Sequence, residues 1–150
     1  MINLFDHYAS GEKMYQKMVA PVCEAHHLTY MEFTVLMFLA NHPQYDTATE
    51  VVKYRHLTKS HVSLSIRGLL DRGLLHAEHL DQNYRTIHLS LTDSTKSIIE
   101  DGRTAQKAFR DILFSGFSEE EVATLTRLIT RMDDNIKTYN HMTGDQFDAK

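Results

Sequence analysis

The segment TATEVVKYRHLTKSHVSLSIRGLLDRGLL, residues 47–75, has the pattern of two short amphipathic helices joined by a turn. Thr47 and Glu50 have the spacing of a capping box, which predicts that a helix over 48–55 begins after Thr47. A second helix is predicted over 59–72, because apolar residues recur there at helical spacing. A turn of about three residues between two such helices is typical of a helix-turn-helix.

The second helix is predicted to be capped by Thr58 and to close at Gly73, which adopts left-handed backbone readily. Its outward face is short, polar and basic, apart from Leu64 and Asp71. Its inward face carries the apolar residues Val62, Ile66, Leu69 and Leu70. The helix is therefore expected to pack against a core on one side only.

The outward face of this helix has the chemistry needed to enter a DNA major groove. Small side chains allow close approach, and Ser60, His61 and Ser63 can exchange hydrogen bonds with base edges. Lys59 and Arg67 can reach phosphate or guanine, and the start of a helix itself favours a phosphate. The predicted partner is double-stranded DNA. The predicted DNA-binding residues of this helix are Thr58, Lys59, Ser60, His61, Ser63, Leu64 and Arg67.

The charge distribution agrees with a polyanionic partner, although the net charge of the 150 residues is −4. Residues 53–91 carry six Lys or Arg against three Asp or Glu, a net charge of +3, which leaves −7 for the remainder. A locally basic module within an acidic chain is consistent with a nucleic-acid partner.

Upstream of this segment, Thr29 and Glu32 form a second capping box, which predicts a helix over 30–41. A helix is also predicted over 2–27, and it is expected to bend or break near Pro21, which removes one backbone hydrogen bond.

Downstream, strands are predicted over 75–80 and 86–91, on either side of the polar loop DQNYR. Long amphipathic helices follow over 93–116 and 119–140, the second one capped by a box of Ser118 with Glu121. Three helices followed by a two-stranded hairpin predict a mainly α fold of the winged helix-turn-helix type.

We expect a single domain, with the winged core over 28–92 and dimerisation helices over 1–27 and 93–140. Residues 141–150 are expected to form a polar, frayed tail. The last helix carries an apolar stripe that one small winged module cannot cover, which predicts a homodimer. This stripe consists of Val122, Leu125, Leu128, Ile129, Met132 and Ile136.

The composition excludes several classes of protein. No apolar run is long enough to span a membrane, and the N-terminus lacks the features of a signal peptide. A single Cys fits a reducing cytoplasm. We therefore expect a cytoplasmic protein with no membrane partner. The chain has no Gly-rich phosphate loop, nucleophile elbow or HExxH motif, so it is predicted not to be an enzyme and to need no cofactor.

These motifs resemble those of the MarR family of bacterial transcriptional regulators over about residues 10–140. LTYMEFTVLMFL is similar to the second helix of the family, and RTIHLSLTDSTKSI to its second wing strand and fifth helix. The RGL after the second helix of the helix-turn-helix and the LT at Leu91–Thr92 are the most recognisable marks. The resemblance implies a homodimer that binds a palindromic operator, usually as a repressor. It also implies release of DNA when a small aromatic effector binds beside the dimerisation helices.

The hairpin loop is predicted to reach the minor groove, with Arg85 as its probe, because a narrow A·T minor groove concentrates negative potential. Family wings usually carry an Asp two residues before the matching Arg, and this chain has Asn83 there. Asn83 and Arg85 are the predicted DNA-binding residues of this loop, and Asn83 is expected to accept a hydrogen bond from the Arg85 guanidinium without charge assistance. For the effector, the candidate pocket residues are Met14 and Met18, although most Met and aromatic residues of the first two helices are expected to be core.

Two alternative functions stay open on the sequence. The first is a metal- or redox-responsive regulator of the same fold. Its candidate metal ligands are Cys23, Glu24, His27 and His42, and Cys23 alone is the candidate redox switch. The second is a winged-helix module for protein interaction that does not bind DNA, which Lys59 and Arg67 disfavour.

Overall fold

The computed structural model describes residues 4–80 and 83–143, with side chains from 8 to 80 and from 83 to 142. This part of the chain is mainly helical with one two-stranded antiparallel hairpin, which confirms the predicted fold class. No helix within it is long and apolar enough to cross a membrane. The elements are α1 (Leu4–Ala25), α2 (Tyr30–Asn41), α3 (Ala48–Arg55), α4 (Lys59–Asp71), β1 (Leu75–Glu78), β2 (His88–Leu91), α5 (Lys96–Leu113) and α6 (Glu119–Thr143).

The chain divides into two compact units, Met1–Phe109 and Arg110–Lys150. The core of the first unit is centred on α2, whose residues 33–39 are all buried. Helices α1 and α4 and strand β2 pack against α2, and α3 packs against α4. The largest side chains that are fully buried are Phe33, Leu36, Leu69, Val19, Val35, Val51, Val62 and Thr95. This arrangement supports α4 on one face and leaves the other face towards solvent.

The three predicted capping boxes are confirmed. The backbone N–H of Thr29 donates to Glu32 Oε2 at 2.8 Å, and the Glu32 N–H donates to Thr29 Oγ1 at 3.1 Å. Each pair satisfies two of the N–H groups that have no partner within a helix. The same reciprocal hydrogen bonds join Thr47 with Glu50 and Ser118 with Glu121.

Helix α1 continues through Pro21 and ends at Ala25, so a break at this proline is wrong, while the predicted bend stays a prediction. The N–H of His26 donates to the Val22 carbonyl at 3.1 Å, which shows that helical bonding persists beyond the proline. One missing donor is not enough to end a helix whose neighbouring bonds remain. The chain leaves α1 through His27, whose φ of 53° is left-handed. Residues 1–3 lie outside the described residues.

The elements after α4 differ from the predicted ones at their ends. Gly73 has a φ of 67°, which confirms its predicted left-handed role. The strands are shorter than predicted, since β1 ends at Glu78 and β2 begins at His88. Ile87, which falls within the predicted strand 86–91, precedes β2 and is 51% exposed. A 3-10 turn over Asp93–Thr95 comes before α5, and the expected tail from residue 144 onward lies outside the described residues.

Two glycines allow close approach of helices onto α2. A Cβ at Gly68 on α4 would lie 2.8 Å from Glu32 Oε1, the carboxylate that caps α2. A Cβ at Gly102 on α5 would lie 2.5 Å from Met37 Sδ. Contacts below about 3 Å are far inside ordinary packing distance, so a larger residue at either position would require the Glu32 or Met37 side chain to shift.

Candidate nucleic-acid interface

The turn between α3 and α4 sets the direction of α4. His56 follows α3 with a left-handed φ of 52°, and the N–H of Leu57 donates to the Val52 carbonyl at 3.2 Å. Val62 and Leu69 are completely buried, which fixes the rotation of α4 about its axis. The predicted inward face is thereby confirmed.

Six side chains on the opposite side of α4 are exposed, and we call them the recognition face. They are Lys59, Ser60, His61, Ser63, Leu64 and Arg67. Within residues 4–80 and 83–143, these six side chains make no hydrogen bond or salt bridge. The face therefore presents hydroxyl, imidazole, ammonium and guanidinium groups to solvent on a rigid support.

Thr58 precedes α4 with extended backbone, but its side chain makes no capping hydrogen bond, so that prediction is wrong. The three helices with capping boxes, α2, α3 and α6, carry a glutamate at the third helical position, and α4 has His61 there. A histidine does not return the carboxylate bond to the cap N–H that completes a box. The backbone N–H groups in the first turn of α4, beside Lys59 and Ser60, therefore donate no hydrogen bond to the Thr58 side chain. Such N–H groups at a helix start are suited to bind a phosphate oxygen.

The loop between β1 and β2 is held by its own polar side chains. The backbone N–H of Arg85 donates to Asn83 Oδ1 at 3.1 Å, and Asn83 Nδ2 donates to Thr86 Oγ1 at 3.2 Å. His79 Nδ1 donates to the Thr86 carbonyl at 2.9 Å. Asn83 therefore holds the backbone of Arg85 rather than the expected guanidinium, and the Arg85 side chain is exposed. Asp81 and Gln82 of the loop lie outside the described residues.

Asp46 joins this hairpin, the wing, to the helix-turn-helix. Its carbonyl accepts from the N–H of Leu89 at 2.7 Å, and its carboxylate lies 2.9 Å from His88 Nδ1. The Asp46 N–H donates to Glu50 Oε2 at 2.9 Å, which ties the same residue to the start of α3. The position of the wing relative to α3 is thus fixed by one backbone bond and one side-chain bond.

Arg72, just after α4, is used within the fold and not at the recognition face. Its guanidinium donates to the carbonyls of His26 and His27 at 2.9 and 2.8 Å, and it lies 3.9 Å from Glu32. The carbonyls at the end of α1 lack helical partners, so a cation there is favourable. Arg72 contributes to the positive charge of residues 53–91 but holds α4 against the end of α1.

The candidate effector residues Met14 and Met18 are half-buried on α1. A cavity of about 140 Å³ lies elsewhere in the first unit, and neither methionine lines it. The lining comes from α1, α2 and the turn after α3, and consists of Tyr8, Glu12, Tyr30, Met31, Thr34, Tyr54, Arg55, His56 and Leu57. Burial raises the pKa of Tyr30, so its hydroxyl keeps its proton and remains a donor at neutral pH.

The candidate metal ligands are not brought together. Among residues 4–80 and 83–143, no group of three or more His, Cys, Asp or Glu has a geometry that could hold a metal ion. His42 stacks on Phe38 with ring centroids 4.7 Å apart, while Glu24 and His27 are exposed. Cys23 is buried, and burial raises the pKa of its thiol, which lowers its reactivity towards oxidants.

His42 belongs to an aromatic cluster that sequence patterns did not reveal. Tyr45 and Tyr54 stack with centroids 4.3 Å apart, and Phe38 lies between 4.7 and 6.5 Å from the other three rings. The hydrogen bond with Tyr54 raises the pKa of Tyr45. Because Tyr54 also lines the cavity, the cluster links the end of α2 to the cavity wall at α3.

Sequence reasoning also missed Asp46, His88 and Arg72 as residues that position the interface. Their partners lie 42 to 46 residues away in sequence. No local periodicity reports such a pairing. The only local signal was the Glu50 capping box, which indicates where α3 begins but not that Asp46 holds the wing.

Residues 26–83 match the model of the MarR family. A MarR family transcriptional regulator from Listeria monocytogenes, solved with 26mer DNA, has a TM-score of 0.82 at 16% identity over 97% of each chain. A MarR protein from Peptoclostridium difficile has a TM-score of 0.79 at 18% identity, covering 95% of this chain and 92% of that chain. The S. aureus MepR–DNA complex has a TM-score of 0.71 at 22% identity, covering 90% and 96%. Comparison with curated proteins gives no match.

The family model covers the segment that carries α2, α3, α4 and β1, and the solved MarR structures share the fold over nearly the full length of the chain. The helix order and the wing agree with the RGL and LT motifs that the sequence carries after the recognition face. Residues 26–83 therefore carry the sequence pattern of the MarR family, and the chain shares the fold of the solved MarR regulators.

Proposed function

We propose that this chain is a homodimeric transcriptional regulator that binds double-stranded DNA through the recognition face of α4. The observation that carries the proposal is the exposure of all six side chains of that face beside the uncapped start of α4. Helices of this kind lie in the major groove in winged helix-turn-helix proteins. Two of the similar structures were solved with DNA, which supports the same partner for this chain.

The residues of the interface divide by what they contact. Ser60, His61 and Ser63 contact base edges, since short side chains permit close approach to the groove floor. Lys59 and Arg67 bind phosphate or guanine, and the α4 start binds a phosphate. Arg85 enters the adjacent minor groove from the wing, where Asn83 holds its backbone. A contact to phosphate adds affinity for any sequence, whereas a contact to a base selects the sequence.

The homodimer forms through the apolar stripe of α6. The stripe repeats at alternating intervals of three and four residues through Val122, Leu125, Ile129, Met132 and Ile136, which is the spacing of helices that pack together. Ile129, Met132 and Ile136 are 43 to 57% exposed. A dimer with two-fold symmetry carries two recognition helices and therefore reads a palindromic operator.

The proposed regulator is a repressor that releases its operator when a small aromatic effector binds. The cavity lined by Tyr30, Tyr54 and Arg55 supports an effector with an aromatic ring and an acidic group, because it offers ring faces beside a cation. Arg55 and His56 end α3 and begin the turn to α4. A ligand that moves this turn changes the placement of α4 and so weakens DNA binding.

Band-shift titration against DNA from upstream of the protein's own gene tests the proposal. The wild-type protein is expected to bind that duplex more tightly than a scrambled one. Lys59→Ala should weaken both complexes and reduce the slope of log affinity against log salt by about one. His61→Ala should weaken the specific complex by about 1–3 kcal/mol and leave the scrambled one nearly unchanged.

Lys13→Ala serves as a matched control, since Lys13 is an exposed lysine on α1 outside the recognition face. It should retain the wild-type affinity and salt slope. If Lys59→Ala and His61→Ala both bind specific and scrambled duplexes like the wild type, the recognition face does not contact DNA and the proposal is wrong.

A further inference from the structure

Leu64 is the one apolar member of the recognition face, and its exposure is unusual. It is 66% exposed, more than any other leucine or isoleucine whose side chain the structure describes. Ile136, the next most exposed, is 57% exposed and lies on the α6 stripe among other apolar side chains. Leu64 has no such companions and lies instead within the polar recognition face.

The neighbours of Leu64 on α4 are all polar. At helical spacing it is bordered by Ser60 on the preceding turn and by Arg67 on the following turn, with Ser63 alongside. A protein partner would meet a single leucine and not an apolar patch, which makes a protein interface centred here unfavourable. Both serines are short, so the leucine side chain extends beyond them towards whatever approaches the recognition face.

We propose that Leu64 contacts the 5-methyl group of a thymine in the major groove and thereby selects T·A over the other base pairs at that position. The inference rests on the proposed function and names one chemical group that the recognition face reads. The thymine methyl is the apolar feature that base pairs present in the major groove, and apolar side chains are its complement. Contact removes both groups from water.

The position of this thymine follows from the geometry of α4. Ser60 and Leu64 are four residues apart, which corresponds to about 6 Å along a helix axis. Successive base pairs are about 3.4 Å apart, so this distance spans about two base-pair steps. The thymine is therefore expected within about two base pairs of the base that Ser60 contacts, once in each half-site of the operator.

Deoxyuridine substitution tests the assignment, since uracil pairs like thymine but lacks the methyl group. The wild-type dimer first selects duplexes from a random 26-base-pair library, and each thymine of the preferred duplex is then replaced singly. At one thymine per half-site the affinity should fall about fourfold, which corresponds to about 0.8 kcal/mol for one buried methyl group. The remaining thymines of the same duplex are internal controls and should show no loss.

The variants connect that loss to Leu64. Leu64→Ala should bind the thymine and uracil duplexes with equal affinity, and Leu64→Met, which keeps an apolar side chain, should retain the preference for thymine. Leu64 is exposed, so neither change should disturb folding.

Two outcomes would overturn the assignment and leave the proposed function intact. One is sequence-specific binding in which no thymine is sensitive to uracil. The other is a Leu64→Ala variant with the same uracil penalty as the wild type. If the library yields no preferred duplex at all, the proposed DNA recognition fails, and the role of Leu64 fails with it.

Discussion

Helices α4 and α6 both carry one apolar face and one polar face, but the two faces have opposite exposure. On α4 the apolar residues Val62, Ile66 and Leu69 are at most 8% exposed, and the polar face is in solvent. On α6 the apolar residues Ile129 and Ile136 are about half exposed. An amphipathic pattern therefore predicts that a face will be covered, and only the structure shows whether the same chain covers it. For α4 the chain does, whereas for α6 the proposed cover is a second copy of the chain.

The largest expected effect concerns the α6 stripe. Ile129→Glu combined with Met132→Glu places two unpaired carboxylates in the proposed dimer interface. The partner contributes the same pair, so four carboxylates are buried at a cost of about 2 kcal/mol or more each, and the dimer should dissociate roughly a millionfold more readily. Sedimentation equilibrium measures the dissociation constant.

The matched control for the stripe is Thr130→Glu combined with Thr138→Glu. This variant adds the same two charges to α6 on its other side, where both threonine hydroxyls donate to backbone carbonyls four residues earlier. It should remain dimeric. A stripe variant that sediments as a stable dimer would show that α6 is not the interface and would remove the contrast with α4.

The next effect compares leucine-to-alanine changes on the two faces of α4. Leu69→Ala removes a completely buried side chain, and it should lower the free energy of unfolding by about 2–5 kcal/mol. Leu64→Ala on the recognition face should change it by less than about 0.5 kcal/mol. Denaturant unfolding at one fixed protein concentration measures both values, because unfolding of a dimer depends on concentration. Equal losses would contradict the assignment of the two faces.

Arg67 on α4 and Arg72 just after it provide a smaller contrast. Arg72→Ala removes two hydrogen bonds to the end of α1 and should cost about 1 kcal/mol of unfolding free energy, since the side chain is only partly exposed. Arg67→Ala should leave stability unchanged and weaken DNA binding. The expectation fails if Arg67→Ala destabilises the fold more than Arg72→Ala does.

The smallest effect concerns helix caps. Thr29→Ala removes a capping hydrogen bond and should cost about 1 kcal/mol of unfolding free energy. Thr58→Ala removes no capping bond and should cost only about 0.3 kcal/mol of unfolding free energy. Thermal or denaturant unfolding of the two variants measures the difference. A Thr58 variant as unstable as the Thr29 variant would mean that Thr58 caps α4 in solution.

The sequence predicted the helices of the first unit well because their determinants are local. Thr29 with Glu32 and Thr47 with Glu50 mark helix starts over four residues, and the starts of α2 and α3 agree with the structure. Thr58 shows the limit of that rule, because a single capping residue without its glutamate partner did not form the bond. Continuation of α1 through Pro21 depended on the bonds around the proline, which residue type alone does not report.

The candidate interface was predictable in part. The outward position of Ser60, Ser63 and Arg67 followed from helical spacing, and their exposure agrees with it. Their contacts with DNA stay a prediction, as does the role of Arg85. Asp46 and Arg72 were not predictable, because each acts through partners distant in sequence, and a long-range hydrogen bond leaves no periodic signal.

The close approach of Gly68 to Glu32 has a consequence for how the sequence can change over time. A side chain at position 68 would displace the Glu32 carboxylate, and that carboxylate also holds the backbone N–H of Thr29. A substitution of Gly68 alone is therefore penalised at α2, although the change itself lies on α4. The same substitution becomes tolerable once position 32 carries a shorter residue. A change at position 32 is therefore expected to precede a change at position 68 more often than to follow it.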